Sequence, residues 1–146
     1  MKCLAALLIV LVTAAARADQ AATKAVLADI AKAADLENGS WDIKEYNMNG
    51  FDVQKAMDSD LAQAKELYPK CGPFRSFEFR RESIASIKTV GQDAKTAAAL
   101  RALYNQDKIA KMYAIKTNKN IDCSQLWIEV YTTDGVLLEL NYGHDD

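Results

Sequence analysis

Two glutamates near the carboxyl end are the residues whose spacing could do chemistry. Glu129 and Glu139 lie on segments that alternate apolar and polar residues, Leu126 to Thr132 and Val136 to Tyr142, joined at Thr133-Asp134-Gly135. A two-residue turn at Asp134-Gly135 would set Val130 against Glu139 and Glu129 against Leu140, mixing polar and apolar partners on both faces. A three-residue loop with Gly135 in the left-handed conformation instead pairs Val130 with Leu138, Ile128 with Leu140 and Leu126 with Tyr142. One face is then wholly apolar, so the parity of the pattern selects this register. It places Glu129 directly opposite Glu139 on the outer face, flanked by Trp127, Tyr131, Leu137 and Asn141.

Opposed carboxylates repel, so such a pair needs a cation between its members or water around them. Three readings follow, in order of preference. In the first, a lysine or arginine from elsewhere in the domain separates them, or both face solvent. In the second, Trp127, Glu129, Tyr131 and Glu139 form a recognition surface: the aromatics supply contact area and the acids receive a basic partner. On that reading Trp127→Ala weakens capture without lowering the melting temperature, whereas a large stability loss would mark a core residue. In the third, the two acids are an acid-base pair acting on a small substrate or glycan.

Other catalytic arrangements are not supported. The single histidine, His144, is too near the chain end to be held against a nucleophile, and His144-Asp145-Asp146 reads as a solvated tail rather than a metal site. Glu45, Asn47, Asn49 and Gly50 are spaced like the first ligands of a calcium loop, but the twelfth position is Ala56, so the segment reads as a turn into a helix. Asp58-Ser59-Asp60 reads as a solvated helix face. Trp41, Phe51, Phe74, Phe77, Phe79 and Tyr104 read as packing residues. No glycine loop suited to phosphate appears. No catalytic residue, metal site or cofactor is assigned.

The amino end sets the compartment. Lys2 precedes an apolar run from Cys3 to Val12, and small residues at Ala16 and Ala18 suit the pockets of a signal peptidase, so a cleavable secretory signal is expected to end at Ala18. The uncharged stretch from Cys3 to Ala16 is shorter than the roughly 20 residues a spanning helix needs, so no stable membrane insertion is expected after cleavage. Residues 19–146 would form one domain. Losing Lys2 and Arg17 from the 18 basic residues leaves 16 against 20 acidic ones, a mature charge of −4. With no basic stripe, nucleic acid is an unsuitable partner. Cys3 leaves with the signal, and Cys71 and Cys123 remain as an even pair expected to form a disulfide in an oxidising compartment.

Periodicity supplies the elements that would position these groups. A helix is predicted from Ala21 to Asn38, with Val26, Leu27, Ile30, Ala34 and Leu36 on one side, and a short strand around Trp41 and Ile43. Val53, Met57, Leu61, Ala64 and Tyr68 define a second helical face ended by Pro69. Phe77 and Phe79 alternate with Glu78, Arg80 and Glu82 in a half-buried strand. Ile84 to Val90 fits either period. A third helix is predicted from Asp93, its possible cap, to Tyr104, with Ala97, Leu100, Leu103 and Tyr104 inward, then a strand from Lys111 to Thr117 and a polar loop at Asn118-Lys119-Asn120. The fold class is α+β: an antiparallel sheet of about four to six strands, ending in the carboxyl-terminal hairpin, packed against about three helices on one face.

The function expected from this sequence is a small periplasmic or secreted, non-enzymatic binding protein of the bacterial cell envelope, such as an inhibitor, an immunity protein or an accessory subunit, with another envelope protein as its partner. The alternatives are a small envelope hydrolase using Glu129 and Glu139, or a carrier holding a small ligand between helices and sheet. The sequence sets no oligomeric state.

Overall fold

The hairpin that fixes the register also anchors the sheet. A computed structural model of the chain describes residues 2–33, 39–80, 82, 94–117 and 123–145. Among them are three helices, α1 (Lys2–Ala33), α2 (Val53–Leu67) and α3 (Ala94–Asn105), and five strands, β1 (Gly39–Glu45), β2 (Phe74–Glu78), β3 (Ile109–Thr117), β4 (Cys123–Thr132) and β5 (Val136–Asp145). The strands form one antiparallel sheet in the order β1-β5-β4-β3-β2. The α+β class, the helix count and the strand count agree with the sequence pattern.

Within the β4–β5 ladder, Leu126 opposes Tyr142, Ile128 opposes Leu140, Glu129 opposes Glu139 and Val130 opposes Leu138. Gly135 carries the positive φ, +85°, that the three-residue loop requires. The tip of the hairpin is held from outside the sheet. Gln20 donates to the Asp134 carbonyl at 2.7 Å, and the Thr23 and Thr132 hydroxyls donate to the two oxygens of the Asp134 carboxylate, each at 2.5 Å. Burial pushes the Asp134 carboxyl up, but these hydroxyls and Lys108 outweigh it and leave it below its ordinary value.

The helices do not share one face, which corrects the single-face packing expected from the sequence. Leu27, Ile30 and Ala31 of α1 and Leu100 and Leu103 of α3 pack on Met112, Ala114, Ile128, Val130, Val136, Leu138 and Leu140. Met57 and Ala64 of α2 pack on the reverse face, against Tyr113, Ile115, Tyr131 and Leu137. The central strands are apolar on both sides, so each side needs a cover. The connection from edge strand β1 to the opposite edge strand β2 carries α2 across the second side.

Local chemistry explains the element boundaries. Asp52 caps α2 by accepting from the backbone N–H groups of Gln54 and Lys55, at 3.0 and 3.2 Å. Asn47 closes the turn before it by accepting from the Asn49 N–H at 3.0 Å, and Gly50 has a φ of +73°. Cys71, after α2, is bonded to Cys123, at the start of β4, with their Cα atoms 5.3 Å apart. Both are buried, so the disulfide pins the end of α2 to the sheet.

Several boundaries differ from expectation. α1 extends back to Lys2, and Val26 is exposed while Thr23, Leu27, Ile30 and Ala31 form the buried side. The carboxyl end is not a free tail, because β5 continues in register to Asp145, opposite Cys123. The expected positions Ala34 and Leu36, the segment from Ile84 to Val90, Asp93 and the loop from Asn118 to Asn120 lie outside the described residues. No helix among the described residues is long and apolar enough to cross a membrane.

Candidate functional site

The face carrying Glu129 and Glu139 is covered unevenly. α2 sits toward β2 and β3, so the part of this face formed by β1, β5 and the end of β4 lies beside the helix rather than beneath it. The result is a cleft of about 270 Å³, lined by Ser40, Trp41 and Asp42 of β1, Asp60, Gln63 and Leu67 of α2, and Trp127, Glu129, Glu139 and Asn141 of the hairpin. Strand pairing explains part of this set: Asp42 is opposite Glu139, and Ser40 is opposite Asn141.

The two glutamates are opposed, as their register requires, but in different surroundings. Lys44 of β1 places its Nζ 2.5 Å from Glu139 Oε1. The hydrogen bond to Glu139 raises the Lys44 ammonium above its ordinary value against the opposing effect of burial. Glu129 is only 8% exposed and accepts the Tyr131 hydroxyl at 2.8 Å. Burial pushes its carboxyl up to about 7; the Tyr131 hydrogen bond opposes the rise, and Asp60 and Glu139 add to it. A basic residue from another strand therefore does approach the pair, but it pairs with Glu139.

The wall behind Glu129 is aromatic. Tyr131 stacks on Tyr113 with ring centroids 5.8 Å apart, and meets Phe51 at 4.4 Å and Tyr46 at 5.0 Å. The Tyr113 hydroxyl donates to Asp60 Oδ2 at 2.5 Å and lies 3.3 Å from the Tyr131 hydroxyl. Burial raises both phenols above their ordinary value; the hydrogen bond to Asp60 adds to the rise at Tyr113.

The residues singled out from sequence thus separate. Glu129 and Glu139 line the cleft, Tyr131 is buried behind it, and Trp127 forms part of the wall while packing on Tyr68 and Phe74 at centroid distances of 5.6 and 5.8 Å. Cys71 and Cys123 brace the layer just beyond the carboxyl end of α2. Sequence reasoning missed Asp60, Tyr113, Lys44 and the rim residue Leu67, which is 60% exposed. Asp60 looks solvated in the sequence beside Asp58, yet it flanks the buried Met57 and Ala64 on the helix. Among the described residues no group of acids, cysteines and histidine is arranged to hold a metal ion. No known protein family matches the chain, and no curated protein matches its sequence.

Proposed function

We propose that this is a small exported binding protein of the cell envelope whose cleft receives a basic side chain of a partner protein. The observation that carries the reading is the composition of the cleft. Asp42, Asp60, Glu129 and Glu139 line it, Lys44 pairs with one of them, and exposed Leu67 and half-buried Trp127 form an apolar rim. A lysine or arginine side chain matches this distribution, with a long apolar stem for the rim and a charged end for the acids.

Export is supported by the sequence features at Lys2, Ala16 and Ala18 and by the Cys71–Cys123 disulfide. The packing of α1 is consistent with a cut after Ala18. The side chains from Ala16 to Asp19 are exposed, and those of Gln20 and Thr23 bond the hairpin tip. Amino-terminal sequencing of the protein from its host should begin at Asp19; a start at Met1 would refute export by this route.

Trp127 lines the cleft on the face of Glu129, so its intrinsic fluorescence reports occupancy. Titration with a short oligolysine peptide should give a saturable change that an oligoglutamate of equal length does not, and Asp42→Asn combined with Glu139→Gln should weaken it at least tenfold. Equal responses to both peptides, or none to either, would reject the reading.

A second reading rests on the unequal surroundings of the two glutamates. One carboxyl is raised to about 7 by burial and its opposite number is salt-bridged to a lysine, and such divergence marks acid-base pairs in hydrolases. Turnover of an envelope glycan that Glu129→Gln abolishes would favour it.

A further inference from the structure

We propose that Asp60, Tyr113, Tyr131 and Glu129 form a hydrogen-bonded chain that stores one proton between its two carboxyl ends, and that this proton leaves when a cationic group occupies the cleft. The second half of this statement rests on the cation-binding reading above; the first half does not.

Counting hydrogens leads to the chain. Four side chains are joined by three oxygen contacts: Asp60 to Tyr113 at 2.5 Å, Tyr113 to Tyr131 at 3.3 Å, and Tyr131 to Glu129 at 2.8 Å. A hydrogen bond needs one hydrogen, and each phenol brings only one. When both phenols donate outward to carboxylates, the central pair of hydroxyl oxygens has no hydrogen between them. A third hydrogen can come only from a carboxyl group. With it on Glu129, every donor points the same way: Glu129 to Tyr131, Tyr131 to Tyr113, and Tyr113 to Asp60. All three contacts are then satisfied.

The surroundings put the proton on Glu129. It is buried against an aromatic wall, whereas Asp60 is partly exposed on α2. The other charged groups facing it are Glu139 from β5 and Lys44 and Asp42 from β1, and Lys44 is engaged by Glu139. An arriving cation stabilises the ionised form. The O–H bond of Glu129 then breaks, its proton passes to solvent, and the Tyr131 hydroxyl turns from Tyr113 to donate to the new carboxylate. Capture would thus be weaker in acid and stronger at neutral pH, with no change in the fold.

Two measurements separate the halves. In the unliganded protein, the side-chain carboxyl carbon of Glu129 followed by NMR from pH 4 to 9 should titrate well above an ordinary glutamate. Tyr113→Phe removes the acceptor that completes the protonated chain, and should lower that midpoint by about one unit. A midpoint that stays or rises would mean Tyr113 supports the ionised form, and would overturn the chain. If that variant does not fold, Asp60→Asn keeps an acceptor for Tyr113, removes the charge at the far end and should also lower the midpoint; an unmoved value there overturns the proposal as well. Calorimetry of oligolysine binding near pH 6.5, in two buffers of different protonation heat, should then show proton release that Glu129→Gln eliminates. Binding without proton release would overturn the coupling, while absent binding with a raised midpoint would reject only the cation reading.

Discussion

Glu129 and Glu139 face each other across the β4–β5 ladder, yet the lysine that approaches them, Lys44, lies 2.5 Å from Glu139, while Glu129 takes a phenol at 2.8 Å. The asymmetry comes from position in the sheet. Glu139 is on β5, beside edge strand β1, where a long side chain can reach it and remain half in water. Glu129 is on β4, one strand further in, under the aromatic side chains between the sheet and α2. The pair is therefore tolerated by division of labour: one acid keeps its charge through a partner, and the other lowers the cost of burial by holding a proton.

Glu129→Gln should stabilise the protein at pH 8 and leave it little changed at pH 4. The folded carboxyl titrates near 7, above its ordinary value of 4.5, so the folded chain binds the proton more tightly than the unfolded one. Stability is then greatest below about pH 4.5 and falls as pH rises through 7, by about 3 kcal/mol in all. Glutamine keeps a donor for Tyr131 and has no charge to lose. Urea midpoints measured at both pH values check this, and a variant that is weaker than the parent at pH 8 would contradict it.

Reducing the Cys71–Cys123 bond should cost the domain about 4 kcal/mol, from the freedom returned to the unfolded chain over a separation of 52 residues. The bond lies where α2 meets the start of β4, so the loss should show first on that face. Hydrogen exchange of the α2 amides should accelerate under reductant before that of the α3 amides. Uniform acceleration would mean that the bond stabilises both faces alike.

Much of this fold is written in periodicity. The register of the carboxyl-terminal hairpin follows from parity because a one-residue slip would bury Glu129 and Glu139 with the aliphatic core of the other face. The placement of α2 did not follow, although the signal was present. Met112-Tyr113-Ala114-Ile115 and Val136-Leu137-Leu138 are consecutive apolar residues, and all are buried, as strands covered on both faces require. Reading the hairpin as half-exposed hid the depth of Glu129 and Tyr131. Asp60 and Tyr113 were beyond reach for a different reason: they are 53 residues apart, and only the crossing of α2 brings them together. Trp41 has the residue type of a packing group, but at the sheet edge it is left 43% exposed.

Gly135→Ala should destabilise the protein by about 1–2 kcal/mol. An L-residue at φ +85° is strained, and its Cβ would lie 3.4 Å from both Gln20 Nε2 and the Tyr46 carbonyl oxygen. These are ordinary contact distances, so the cost comes from the backbone conformation rather than from a clash. Thermal denaturation should show a drop of several degrees, whereas an unchanged midpoint would mean that the loop can shift to a form without the left-handed residue.

The two tryptophans should respond differently to truncation, which tests which face of the sheet each one serves. Trp127 packs on Tyr68 and Phe74 within the layer closed by the disulfide, so Trp127→Ala should cost about 3 kcal/mol or more, rather than leave the melting temperature unchanged. Trp41 is opposite Leu140 on the edge strand, so its side chain belongs to the other face of the sheet, and because it is 43% exposed Trp41→Ala should alter stability by about 0.5 kcal/mol or less. That second variant should bind oligolysine as well as the parent does, read from the remaining Trp127 fluorescence. A Trp41→Ala protein that binds several-fold more weakly would place its ring at the cleft, and one that melts as early as Trp127→Ala would place Trp41 in the core.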